Sequence, residues 1–82
     1  PLEITIAPNP MNTHTVISFY GNKLEGEKEL FVFDLAGRLL QRQKTLSNSS
    51  FVFERKSLPA GVYIIKIVAE NQQFATEKLN IE

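Results

Sequence analysis

Few side chains in this sequence could do chemistry. His14 is the sole histidine, and with Asp34 and one of Ser47, Ser49 or Ser50 it offers the residue types of a nucleophilic triad. A working triad needs its nucleophile on a sharp turn, commonly supported by glycine, with a base beside it. No glycine stands near any of these serines, so no hydrolase is expected. Glu25, Glu27 and Glu29 recur with period two. A calcium loop needs several Asp or Asn at alternating positions and a closing acid, and that set is missing. One histidine with scattered carboxylates and no cysteine makes no zinc or thiolate site. The expectation is a non-enzymatic chain with no catalytic residue, metal, cofactor or small-molecule substrate.

Binding chemistry has more candidates. Phe31 with Phe33, and Phe51 with Phe53, each put two rings on one side of an extended chain. Such pairs can form a sugar platform or stack on bases. Nine Lys+Arg balance nine Asp+Glu, and the basic pair Arg55-Lys56 is no patch, so nucleic acid is not an expected partner. Core packing is the expected use of Phe51 and Phe53. Between residues 29 and 33, either Phe31 and Phe33 or Leu30 and Val32 turn inward, and both choices stay open. Asn48-Ser49-Ser50 fits the N-x-S acceptor pattern, which arises often by chance.

These residues must be positioned by short strands. Runs rich in Ile, Val, Phe and Tyr alternate with turn residues along the chain. Seven strands are expected, at Leu2–Ile6, His14–Tyr20, Glu29–Phe33, Arg38–Lys44, Ser50–Glu54, Val62–Ala69 and Gln73–Ile81. With no helix-period segment between them, they predict an all-β sandwich. Leu2, Ile4 and Ile6 alternate with Glu3 and Thr5, as do Ile17 and Phe19 with Ser18. "VYIIKIVA" is apolar on both sides apart from Lys66, as a central strand covered on both sides would be. Asp34 and Gly37 in "DLAG" suit a hairpin, Asp34 accepting from amides ahead and Gly37 supplying a positive φ. "AEN" is a second hairpin, with Asn71 tolerating the left-handed region. "GNKLEGE" and "TLSNSS" are longer connections. Pro8-Asn9-Pro10 ends the first strand and bends it away, to cross between sheets.

"SLPAGVYIIKI" fits the tyrosine corner of Greek-key sandwiches, in which a tyrosine hydroxyl bonds back to backbone just upstream. Tyr63 would do so, Gly61 would avoid a clash between backbone and ring, and Leu58 would plug the core. The fold expected is an Ig-like or fibronectin-like Greek-key β-sandwich of about seven antiparallel strands, one domain over residues 1–82. A chain of 82 residues buries only roughly 60% of its unfolded surface, and without cysteine no disulfide adds to that core. It starts at Pro1 and its only methionine is Met11, so it is expected to be cut from a longer protein.

Three stretches then read together: "IAPNPMN", "LFVFDLAGRLL", and "LPAGVYIIKI" followed by "FATEKLNIE". In this order and spacing the chain resembles the type A C-terminal sorting domain of the type IX (Por) secretion system of Bacteroidota, over nearly all of residues 2 to 82. Pro8, Asn9 and Pro10 match the family's opening motif, and Asp34, Leu35, Gly37 and Arg38 its hairpin. Leu58, Gly61 and Tyr63 match its corner, and Lys78 and Leu79 its last strand. Ala7 stands where the family often has tyrosine, and "MNTHT" replaces a glycine-containing turn.

The resemblance implies a signal that directs a cargo, the domain ahead of it in the same chain, through periplasm and outer membrane to the cell surface or medium. The implied partners are the outer-membrane type IX translocon and a surface sortase. The last hairpin, Val62 to Ile81, is the expected place of recognition, because its final strand could sit at an open edge. Gly37, Gly61 and Tyr63 are explained by folding alone, whereas Lys78 and Arg38 are cations that could touch a receptor. Two other readings remain. An accessory or carbohydrate-binding module of an extracellular enzyme would share this fold and show an exposed aromatic row. A subunit exchanging edge strands would associate with its own copies.

Overall fold

Period-two patterning and turn residues set the architecture. The computed structural model describes residues 2–21, 24–70 and 72–82. Seven strands form, β1 (Glu3–Ala7), β2 (His14–Tyr20), β3 (Lys28–Phe33), β4 (Leu39–Thr45), β5 (Ser50–Glu54), β6 (Gly61–Ala69) and β7 (Phe74–Ile81). β2 and β5 have the expected bounds, and the others move by a residue at one or both ends. One sheet runs β1-β2-β5 and the other β4-β3-β6-β7, every strand pairing being antiparallel. The chain changes sheet after β2, β4 and β5, as a Greek-key sandwich requires.

The inner faces make the core. The three-stranded sheet contributes Ile4, Ile17, Phe19, Phe51 and Phe53, and the four-stranded sheet Leu30, Val32, Tyr63, Ile65, Ile67, Leu79 and Ile81. Phe51 and Phe53 therefore pack inward as expected. Between Leu30–Val32 and Phe31–Phe33, the first pair is fully buried and the second faces out. Lys28 shares the inward side with Leu30 and Val32 and is also buried. Its Nζ donates to the Gly26 carbonyl at 2.8 Å and to Asn48 Oδ1 at 2.7 Å, which satisfies two of its three donors.

The outer faces differ. On the three-stranded sheet, Glu3, Thr5, His14, Ser18, Ser50 and Glu54 face outward to water, with Val16, Tyr20 and Val52 exposed among them. On the four-stranded sheet the outward residues include Phe31, Phe33, Val62, Ile64, Val68 and Phe74. β6 is central within its sheet, but only its inner side is covered among the described residues. Ile64, Lys66 and Val68 stay half-buried, and Val62 is 36% exposed. The expectation of a strand covered on both sides is corrected: its outward apolar residues lie on an uncovered face.

Candidate functional site

The opening motif is a clasp between the sheets. Both peptide bonds before Pro8 and Pro10 are cis, and buried Thr15 donates its hydroxyl to the Pro8 carbonyl at 2.6 Å. Asn9 then reaches β7 and pairs with it as a backbone would. Its Nδ2 donates to the Lys78 carbonyl at 2.9 Å, and its Oδ1 accepts the Asn80 amide at 2.9 Å. Two residues on, the Met11 amide donates to the Asn80 carbonyl, and the Met11 carbonyl accepts from the Glu82 amide, both at 2.9 Å. Met11 makes a parallel bridge with Ile81, and its side chain is fully buried. The edge of β7 expected to be open for recognition is thus occupied from Lys78 onward.

The β3–β4 hairpin is closed as its residue types dictate. Asp34 Oδ1 accepts the amides of Ala36 and Arg38 at 2.9 Å each, and Arg38 Nε donates to Oδ2 at 2.7 Å. These bonds favour the ionised carboxylate. The Arg38 amide first, then the Arg38 side chain, hold the Asp34 pKa below its ordinary value. Gly37 has φ +87°, a conformation that costs glycine little.

The tyrosine corner forms too. The Tyr63 hydroxyl donates to the Pro59 carbonyl, and Leu58 packs partly buried against the core. The reason expected for Gly61 is corrected. A Cβ there would lie 3.9 Å from the Tyr63 ring, an ordinary contact, so no clash is avoided. Its φ of +156° is what favours glycine. Arg55, which the sequence did not single out, locks the corner: Nε donates to the Leu58 carbonyl at 2.9 Å, and Nη1 to the carbonyls of Asn12 and Glu82.

Register brings these pieces together. Ala7 stands opposite Val16 beside Val52, Phe33 opposite Ile64, and Ile64 opposite Lys78. The segments 8–13, 34–38 and 55–60 therefore lie at one pole of the sandwich with the end of β7. The residues expected from the sequence to carry a sorting motif, Pro8, Asn9, Pro10, Asp34, Leu35, Gly37, Arg38, Leu58, Gly61, Tyr63, Lys78 and Leu79, sit at or next to this closed pole. Leu79 is fully buried, while the Arg38 side chain is 79% exposed even as it holds Asp34. Lys78 points outward from β7 and makes no ion pair among the described residues.

The opposite pole carries residues 21, 24–27, 46–49, 70, 72 and 73. Ser47 and Ser49 are there, far from Asp34 and His14 at the closed pole, so the structure assembles no triad. Glu27 accepts an ion pair from Lys44 at 3.7 Å and its amide donates to Glu70 Oε2 at 3.0 Å, while Glu29 pairs with Arg42. The described residues contain no group of three or more His, Cys, Asp or Glu placed to hold a metal. The hairpin expected at "AEN" closes through Ala69 and Gln73, and its positive φ, 73°, falls on Gln72. Asn71 lies outside the described residues.

Comparison with known families gives one result that spans this geometry. The family model described as a secretion system C-terminal sorting domain matches residues 5–82, from within β1 through the last residue. No curated protein matches the chain.

Proposed function

Since this chain belongs to the C-terminal sorting domains of the type IX secretion system, we propose that it works as a folded, non-catalytic address read at the outer membrane. The family supplies the coarse function: a signal for export to the medium or cell surface. The finer reading is that the translocon recognises the assembled sandwich, and that a surface sortase then removes it or uses it to attach the cargo. The observation that carries this reading is the convergence of the motif residues on one pole, where they close the fold. A cargo joined ahead of residue 1 would leave from the opposite pole, where β1 begins, so it would not cover the clasp.

The test is a reporter carrying a general export signal, expressed in a Bacteroidota host with and without residues 1–82 behind it. Reporter at the surface or in the medium only with the chain attached is the expected result. Reporter held in the periplasm in both cases, with the attached chain folded, would overturn the reading. Truncating at Gln72 is no substitute for point variants. It removes Leu79 and Ile81 from the core, so lost export would report unfolding.

One observation favours the accessory-module reading. Phe31 and Phe33 lie on an outer face with ring centroids 6.2 Å apart and planes 15° from parallel, as a sugar platform would place them. However, the Arg42 guanidinium lies 5.5 Å from the Phe31 ring centre and competes for the face on which a sugar would stack. Saturable binding of a soluble polysaccharide, lost on Phe33→Ala, would revive that reading.

A further inference from the structure

Resting on the sorting reading above, we infer that the outer face of the four-stranded sheet docks the folded domain onto an apolar, acidic protein surface of the export machinery. Three observations meet there. The first is apolar exposure where the fold needs none: Leu40 is 37% exposed and Phe74 59%, with Phe31, Phe33 and Ile64 half-buried between them. The outer face of the three-stranded sheet also exposes Val16, Tyr20 and Val52, among polar residues, but no cation lies over a ring there among the described residues. Contiguous apolar surface rimmed by polar groups marks interaction sites.

The second observation is charge. Arg42 and Lys44 project from this face already paired with Glu29 and Glu27, whereas Lys66 and Lys78 project from it with no ion pair among the described residues. Arg42 lies over Phe31, and Lys66 Nζ lies 5.0 Å from the Phe74 ring centre. The complementary partner therefore brings carboxylates into the middle of an apolar contact. A second copy of this face would set cation against cation. A bilayer is matched by protruding apolar groups with cations around them, whereas here the cations rest on the rings themselves.

The third observation is the closed edge. Asn9 and Met11 already occupy β7 from Lys78 onward, which removes strand addition as a docking mode there. Lys78 lies where the family-matched pole meets this face.

The test uses the complete chain behind an exported reporter, carrying Lys66→Glu with Lys78→Glu. Thr5→Glu with Val52→Glu, on the outer face of the three-stranded sheet, is the control. Export by the wild type and the control, with a loss of about tenfold or more for Lys66→Glu/Lys78→Glu at an unchanged thermal midpoint, is expected. Equal export by all three would overturn the docking face and leave the sorting reading standing. No export by the wild type would remove the sorting reading itself, and this inference with it. If the double charge reversal lowers the midpoint, Phe74→Ser decides: a several-fold loss of export is expected, and wild-type export overturns the inference.

Two further measurements separate other occupants. Flotation with phosphatidylglycerol vesicles is expected to leave the protein unbound. Binding that Lys66→Glu/Lys78→Glu abolishes would make lipid the occupant and overturn the inference. Sedimentation velocity is expected to give a monomer. A dimer lost in the same variant would make a second copy the occupant, with the same consequence.

Discussion

At the closed pole, polar side chains direct their hydrogen bonds back onto the chain. Asn9 bonds to β7, Asp34 to its own hairpin, Tyr63 to Pro59, and Arg55 to Leu58 and Glu82. On the outer face of the four-stranded sheet the balance reverses: Phe74 and Leu40 meet water, and Lys78 makes no ion pair among the described residues. The residues read from the sequence as a sorting motif cluster at the pole, and the face has almost none of them. That reading therefore falls mostly on residues that hold the domain closed, whereas the outward residues of the face follow no local pattern. Lys78 belongs to both regions.

The sharpest way to break this contrast is to cut adjacent residues of β6. Ile65 is fully buried and Ile64 faces outward. Ile65→Ala should destabilise by about 2–5 kcal/mol through lost burial and a cavity, and Ile64→Ala by less than about 1 kcal/mol. Urea denaturation of both variants checks this, and equal costs would mean that the outer face supports the fold as much as the core does. At the pole, Asn9→Ala removes two hydrogen bonds that join the sheets and should cost about 1–2 kcal/mol by the same measurement. An unchanged midpoint would show that Met11 closes the edge alone.

Tyr63→Phe should cost about 1 kcal/mol, the net worth of one hydrogen bond. Equal midpoints for the two proteins would remove the corner from the closure. The smallest effect is expected at Asp34. Its pKa is lowered in the folded state, so its contribution is complete above its unfolded value and fades as pH falls through the folded one. The stability difference between wild type and Asp34→Asn should be constant near neutrality and shrink on acidification, seen in midpoints measured across that range. A difference that grows in acid would contradict the hairpin electrostatics.

Sequence carried the pole further than the face. The Asp34–Gly37 turn and the Tyr63 corner are local, so a short window holds both the donor and the acceptor. β2 and β5 were delimited by the polar residues that bound their apolar runs, although Val16 and Val52 face outward and break the alternation within them. In β3 the choice of face was harder still. Leu30 to Phe33 are apolar without interruption, and period two cannot choose a face when both are apolar. Lys28 continues the inward row of Leu30 and Val32, a signal that was present, but its type argues for solvent until Gly26 and Asn48 are seen capping it. The clasp of Asn9 on Lys78 and Asn80 joins residues about seventy positions apart, which no local pattern encodes.

The most direct measurement compares folded fraction with exported reporter for Asn9→Ala and Tyr63→Phe at several temperatures. If the pole acts by closing the fold, export should fall in step with folded fraction and recover on cooling. A fully folded Asn9→Ala domain that is not exported would contradict this, and would make the clasp itself a surface that the receptor reads.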